Sequence, residues 1–431
     1  MAPGGRRGTV YPVAKRCVVT GVGIVSPVGI GKDAFWKSLT EGRSGISRIT
    51  RFDTSKLSVQ VGGEVKDFDP GRYVDEERLP AMGRSTQFAI AAATMAVEDA
   101  GLEPRGSNDS PFSLIVGTSS PPADSIEEQL SLVHEQDSRL KAHPHALAAI
   151  YPHSPTAEVS NALRLFGSTS TISTACASGC NAIGAGLNEI RTGREEVVLA
   201  GAAESVLAYF TFIAYISTGL LAENTDMPPE RIMRPFDKKR HGGVISEGAA
   251  FVMLEELEHA RARGARIYAE LAGYSSQDRF RGSMRTLPIK QGMVNAMRAV
   301  LRDARMPPSE VDCICANGVS SPILDKMETL ALKEVFGEYA YRFPVSSIRS
   351  MIGIPTAAAT PMQLIAALLS FQTDIIPPTI NYENPDPDCD LDYVPNMARV
   401  NRVNVALLNN HALDGSDAAL VARRYRNSDG V

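Results

Sequence analysis

No run in this chain reaches the ~18–20 consecutive apolar residues that a membrane-spanning helix needs, so the sequence does not read as a membrane protein. Cysteine is scarce. Six in 431 residues (Cys17, Cys176, Cys180, Cys313, Cys315 and Cys389) cannot staple a chain of this length, which excludes a disulfide scaffold. Their usage points to a reducing, cytoplasmic compartment, with some thiols buried as small hydrophobes. Basic charge is not in excess either. The 44 Lys and Arg against 49 Asp and Glu give a formal charge of −5, and no basic block stands out, so nucleic-acid binding is excluded. Residues 1–15 are Gly-, Arg- and Pro-rich without an apolar centre, so they read as a flexible tail and not as a secretory signal. What is present is length and apolar content. A chain of 431 residues, 44% of them hydrophobic, fits one large or two fused α/β units.

Strands alternate with helices along the whole chain. Cys17–Val25 reads as a buried strand, but the third glycine of a G-x-G-x-x-G loop is absent, since residue 26 is Ser26. Tight packing of the strand against a neighbour is expected in its place. Gln87–Ala100 has helical spacing and stops at Gly101. Glu195–Ala203 is a short apolar strand, and Thr360-Pro361 is the expected N-cap of an apolar helix through Phe371. Glu255–Arg263 is predicted as a surface helix carrying a solvated His259. The chain also repeats itself. Ala100–Pro104 followed by Ser113–Pro121, and Ala304–Pro308 followed by Asp312–Pro322, share a helix end, a strand and a Gly-x-Ser-Ser-Pro turn. A weaker pair joins the segment around Cys176 to Val345–Phe371. A period near 200 residues is a duplicated domain and not a solenoid. The junction is placed near residue 265, giving a tail over 1–15, a first half over 16–265 and a second over 266–431.

Ser168–Thr174 is a β-branched strand leading into Ala175-Cys176-Ala-Ser-Gly-Cys180 and a helix of small residues, uncharged until Glu189. Such a helix is buried against close neighbours. Cys176 therefore stands at a strand-to-helix turn, where unpaired amides and the helix dipole favour a thiolate and can hold an oxyanion. The alternative is a buried inert thiol, which suits Cys180. Thr174-Ala-Cys-Ala-Ser-Gly179 resembles the nucleophile motif of the β-ketoacyl-acyl-carrier-protein synthases, the condensing enzymes of thiolase fold. Val19–Pro27, Arg234-Pro-Phe-Asp237, Glu247-Gly-Ala249 and Pro377–Asn381 also match, in order, over about Arg16–Arg424. The resemblance implies an α/β thiolase-like fold, two duplicated βαβ halves in a five-layer α-β-α-β-α sandwich. It further implies that Cys176 is acylated from the phosphopantetheine arm of an acyl carrier protein, with no cofactor of the enzyme's own. A dimer is expected, of identical chains or with a ketosynthase partner. Cys313-x-Cys315 lacks a second pair at zinc spacing, so no metal site is expected.

The chain departs from that family where decarboxylation is supported. Its two active-site histidines fall on Asn317 and Ile354, its lysine on Arg349 and its downstream glutamate on Gln363. Asn317, in Asn317-Gly-Val-Ser-Ser-Pro322, can donate one hydrogen bond to a thioester oxygen but cannot exchange a proton near neutral pH. Ile354 can do neither. Ser320, Ser321, Ile354 and Arg349 are expected to line the substrate space. Each lost donor to an enolate is worth about 2.7–4 kcal/mol in comparable sites, so decarboxylation should slow by orders of magnitude. In the last loop, Asn409-Asn-His-Ala-Leu-Asp-Gly-Ser-Asp417, His411 falls on the family's gating phenylalanine, whose backbone N–H, the resemblance implies, joins that of the cysteine in the oxyanion hole; its imidazole stands either as a general base or as filler of the gate. Asp414 is a candidate to orient it. The docking stretch Val74–Gln87 is less basic than the family's, which thins the usual attraction to a carrier protein. Three functions follow: a polyketide-type acyltransferase that transfers from Cys176 to an alcohol, an amine or an internal carbanion without decarboxylation; a non-catalytic partner subunit like a chain-length factor; or a slow decarboxylative synthase.

Overall fold

The computed structural model describes residues 14–103, 112–135, 146–223, 226–278 and 286–426, so most of the expected tail and Pro104 of the repeat lie outside the described residues. Ten strands follow in chain order as β1 Cys17–Ser26, β2 Ser113–Gly117, β3 Thr169–Ile172, β4 Val197–Glu204, β5 Gly248–Glu256, β6 Ala269–Asp278, β7 Cys313–Cys315, β8 Val345–Ser346, β9 Val405–His411 and β10 Ser416–Arg424. The first five lie side by side as 3-2-4-5-1 and the second five as 8-7-9-10-6, which is the same order with five added to each number. The senses agree as well: β2–β3, β2–β4, β7–β8 and β7–β9 are parallel, whereas β4–β5, β1–β5, β9–β10 and β6–β10 are antiparallel. Among the described residues, the two sheets join only where Cys17, Val18 and Val19 of β1 meet Leu271, Glu270 and Ala269 of β6.

Strand alternation sends successive side chains to opposite faces, and three apolar clusters fill the resulting layers. Helices α1 (Arg84–Asp99) and α2 (Ser154–Leu163) cover the outer face of the first sheet, with Val25, Leu199, Phe251 and Met253 beneath them. Helices α4 (Thr286–Asp303) and α5 (Pro322–Phe336) cover the outer face of the second, over Leu407, Ala419 and Val421. Between the sheets run α3 (Ser178–Arg191) and α7 (Ala359–Thr373). They pack against Val22, Ile24, Val252 and Leu254 on one side and Leu408, Ala418 and Leu420 on the other. This is the five-layer duplicated architecture that the resemblance implied.

The small residues of α3 follow from its place in the middle. A Cβ on Gly184 would fall 2.2 Å from the Tyr274 ring, and one on Gly179 would fall 2.1 Å from the carbonyl oxygen of Ala357. The glycines of β1 act likewise: a Cβ on Gly21 would meet the Ala96 carbonyl of α1 at 2.2 Å, which is the tight packing expected of that strand. Three local expectations need correction. Helix α7 begins at Ala359 after a 3₁₀ turn over Thr356–Ala358, so Thr360 is inside the helix and not its cap; its hydroxyl accepts Asn410 Nδ2 at 2.5 Å. Strand β5 runs on through Glu256, and only Leu257–Ala262 is helical, because Glu255 and Glu256 still pair with β4 and β1. His259 is half-buried and tied through Nδ1 to Glu255 Oε2 at 2.8 Å, so it is only partly solvated.

Candidate active site

Ala175 takes φ 48°, a left-handed conformation that a residue with a Cβ adopts rarely, and this turns the chain from β3 into α3 with Cys176 at the corner. Ser178 locks the corner. Its Oγ accepts the Thr174 N–H at 2.8 Å and donates to the Ala175 carbonyl at 2.6 Å. Asn181, one turn on, donates to Thr174 Oγ1 at 2.7 Å and accepts the Tyr274 hydroxyl at 3.0 Å, which ties the corner to β6 of the other half. Cys176 is half-buried, while Cys180 is fully buried, as expected. The thiol is not poised as a thiolate, however. Burial pushes it up to about 11; Arg349 opposes that, and the charges of Glu204 and Asp414 add to it. The expected help of the helix end is outweighed by this burial.

Asn317 follows β7 and is almost fully buried. The Glu328 carboxylate of α5 accepts its N–H and that of Gly318, both at 2.8 Å, and Asp325 accepts the Val319 N–H at 3.0 Å. Burial raises Asp325 to about 7. The Asn317 Oδ1 accepts the backbone N–H of His411 at 3.2 Å. Structure thus brings two of the predicted residues into direct contact, although through the amide that the resemblance assigns to an oxyanion hole. His411 ends β9, and its Nδ1 faces Asp417 Oδ1 at 3.1 Å. The partner is Asp417 and not Asp414, because β9 and β10 pair His411 directly with Asp417. Asp414 lies in the intervening turn, close enough to the thiol to raise its pKa. His411 Nε2 is buried and has no partner among the described residues.

The remaining predicted residues divide. Arg349 opens the short helix α6 that we assign to Arg349–Ile352, preceding α7, and is fully buried near the thiol. Ile354 sits in an apolar cluster with Val319, Val244 and Leu221 and offers only an apolar wall. Ser320 and Ser321 have partners within the protein: Ser320 Oγ accepts the Arg234 N–H at 3.1 Å, and Ser321 caps α5 by accepting the Leu324 N–H. Gln363 donates to the Ala316 carbonyl at 2.7 Å.

Two groups near the thiol escaped the sequence. Glu204, at the end of β4, is fully buried and accepts the hydroxyls of Thr118, Ser119 and Thr356 and the Ser119 N–H; burial raises its pKa. A lone carboxylate closing an apolar strand was the available signal. Tyr215, on the helix Tyr209–Ser217, has its hydroxyl pushed up by burial, with the charges of Cys176 and Glu204 adding to it. Nothing in the local sequence marks it.

Twin five-strand sheets around two buried helices, with a cysteine at the corner leading into one of them, define a thiolase-like condensing-enzyme fold. The models of the beta-ketoacyl synthase N-terminal and C-terminal domains match residues 14–260 and 268–383. The chain belongs to the beta-ketoacyl synthase family. It is 37% identical over 415 residues to "Putative polyketide beta-ketoacyl synthase 1" of Streptomyces halstedii, covering 95% of this chain and 98% of that one. Among solved structures, "The ishigamide ketosynthase/chain length factor" superposes with a TM-score of 0.89 at 34% identity, over 96% of this chain and 100% of that one. A ketosynthase bound to the hexaketide, in complex with its type II polyketide synthase acyl-carrier protein, matches with a TM-score of 0.86 at 33% identity over the same shares. Among the described residues, no helix is long and apolar enough to cross a membrane.

Proposed function

We propose that this chain is a ketosynthase-like acyltransferase of polyketide-type biosynthesis that moves an acyl group through Cys176 without decarboxylation. The observation that carries the reading is a half-buried cysteine on a left-handed corner, kept in a site whose enolate-stabilising positions hold an amide and an aliphatic side chain. In the first step the Cys176 sulfur attacks the carbonyl carbon of a carrier-bound thioester. A carbon–sulfur bond forms to Cys176, the bond to the pantetheine sulfur breaks, and that sulfur leaves as a thiol with the proton Cys176 gave up. In the second step a hydroxyl, an amine or a carbanion within the substrate displaces Cys176. His411, oriented by Asp417, takes the proton of an attacking O–H or N–H at Nε2 as the Cys176 sulfur leaves as a thiolate, and the proton then returns to that sulfur. With Ile354 offering nothing to an enolate oxygen and Asn317 a single neutral donor, loss of carbon dioxide is not assisted.

An acyl carrier protein is the proposed donor and a second ketosynthase-fold subunit the proposed partner. Strand β3 supports the latter: among the described residues it is the edge of its sheet, paired only with β2, with Phe166 beside it 65% exposed. On the docking stretch, Arg78 pairs with Glu158 and Arg84 with Glu247, so the few basic groups there are already engaged. A second reading, a non-catalytic partner subunit, is favoured by one contact: the His411 amide, an oxyanion donor by resemblance, is taken up by Asn317. Intact-mass analysis after incubation with acyl-loaded carrier proteins separates the readings. Acyl adducts on Cys176 without carbon dioxide release from malonyl-carrier protein support acyl transfer. No adduct from any chain supports the partner subunit, and rapid release of carbon dioxide overturns both.

A further inference from the structure

Glu204 closes β4 with its side chain 1% exposed, and among the described residues no lysine, arginine or histidine pairs with it. A carboxylate taken out of water without a counter-charge is costly, and such a group keeps its proton instead. The hydrogen bonds around it lead to the same state. Oε1 lies 2.7 Å from the Thr118 hydroxyl and 2.9 Å from the Ser119 nitrogen, and Oε2 meets the hydroxyls of Ser119 and Thr356. The Thr118 hydroxyl also lies 2.7 Å from the Ser120 carbonyl oxygen, which can only accept. A hydroxyl carries one hydrogen. With that hydrogen on Ser120, the contact between Thr118 and Glu204 is a hydrogen bond only if Glu204 Oε1 supplies the proton. Burial, which pushes the ionisation of Glu204 upward, acts in the same direction.

The same contacts reach both sides of the Cys176 corner. On one side, the Thr118 carbonyl oxygen stands 2.9 Å from Oγ of Ser178, the residue that locks Thr174 and Ala175. On the other, Thr356 takes φ 42°, which a β-branched residue adopts only where its surroundings impose it. Glu204 is the one side chain that the Thr356 hydroxyl meets among the described residues. The next residue, Ala357, holds its carbonyl oxygen against Gly179, in the first turn of the helix behind Cys176. Ala175 and Thr356 are thus left-handed turns in different halves of the chain, and one buried carboxyl group is tied to both.

We propose that Glu204 is a positioning residue of the Cys176 site, a neutral carboxylic acid near neutral pH that holds the corner of the first half in register with the Thr356 turn of the second. Being uncharged, it clasps the two halves without setting an anion against a Cys176 thiolate, and its charge acts on the thiol only once it has ionised. Its use in acyl transfer rests on the function proposed above; the clasp and its proton do not.

Two measurements on the full chain test this, and neither involves an acyl group, so their failure is distinct from a failure of the acyl-transfer reading. The infrared difference spectrum of wild type minus Glu204→Gln, near neutral pH, should contain the C=O stretch of a protonated carboxylic acid. Thr118→Val removes the acceptor of that proton and should move the band to higher frequency, which serves equally if the glutamine variant does not fold. Carboxylate bands alone in the first spectrum, or no shift in the second, overturn the protonated state. Iodoacetamide should label Cys176 about tenfold faster or more in Glu204→Ala than in wild type, as when several hydrogen bonds that keep a segment closed are lost. Cys180 and Cys313 should stay unlabelled, which general unfolding would not allow. If all three thiols react in Glu204→Ala, Thr356→Val decides, since it deletes one hydroxyl and keeps the β-branched shape. A smaller rise confined to Cys176 in Thr356→Val supports the clasp, and a wild-type rate there overturns the positioning role.

Discussion

The side-chain oxygen of Asn317 accepts the backbone N–H of His411 at 3.2 Å, so the turn after β7 and the end of β9 are pinned together. A neutral imidazole in place of Asn317 could meet that N–H through a ring nitrogen and offer its other N–H to the substrate, but only with the right tautomer. Asparagine makes the arrangement without a tautomer and without a titratable group.

Carbon dioxide release from malonyl-carrier protein should be near background in the wild-type chain and in Asn317→His, because Ile354 remains an apolar wall. Adding Ile354→His should raise it by about 10²–10³-fold, the worth of one oxyanion donor. Radiometric carbon dioxide capture decides this, and release by Asn317→His alone at the rate of the double variant would remove Ile354 from the explanation.

Alkylation of Cys176 by iodoacetamide should climb with pH and reach half its limit near 11, since burial holds the thiol there. At pH 7 that leaves about one thiolate per ten thousand molecules. Asp414→Gly removes a negative charge that raises the thiol's pKa, so the midpoint should move down and the rate at fixed pH should rise. Peptide mapping should find the label on Cys176 before Cys180 or Cys313, both fully buried.

Acyl transfer should fall by about 10²–10⁴-fold in His411→Ala, the contribution of a positioned base, with the fold intact by circular dichroism. Asp417→Asn should lower it less, since the ring loses its charged partner and keeps its place in the β9–β10 pairing. Full transfer by His411→Phe would reduce the imidazole to a gate.

Arg349→Met should stabilise the ligand-free chain by about 1–4 kcal/mol in urea denaturation, as apolar replacement of ill-satisfied buried charges does elsewhere. Burial already drags the guanidinium down to about 10. Gly184→Ala should do the opposite and destabilise by about 1–3 kcal/mol, because its methyl would enter the Tyr274 ring.

Much of the architecture was legible because it is written twice. The two Gly-x-Ser-Ser-Pro segments each follow the second strand of their half, β2 and β7, and the weaker pair marks the third strand and the central helix of each. The corner at Cys176 was legible for a local reason, a β-branched strand running into a helix of small residues. Side-chain partnership was not. His411 was expected to be oriented by Asp414, three residues on, but hairpin register selects Asp417, six residues on. Ser320 and Ser321 carried the right residue type for substrate contact and were claimed by Arg234 N–H and the start of α5. Glu204 and Tyr215 reach the thiol from elements far along the chain, which no local pattern reports.

The two central helices have a consequence for how the molecule comes into being. Cys176 lies before α3, in the first half, whereas Thr356, which donates to Glu204 beside it, and Ala357, whose carbonyl presses on Gly179, lie before α7 in the second. A nascent chain that has left the ribosome only through β5 has its nucleophile but not the wall that buries it. Cys176 should therefore be an open, ordinary thiol during synthesis and become screened only when the second half docks. Slow alkylation of the finished protein would then mark completed folding, and a pulse of alkylating reagent during refolding would read the docking step directly.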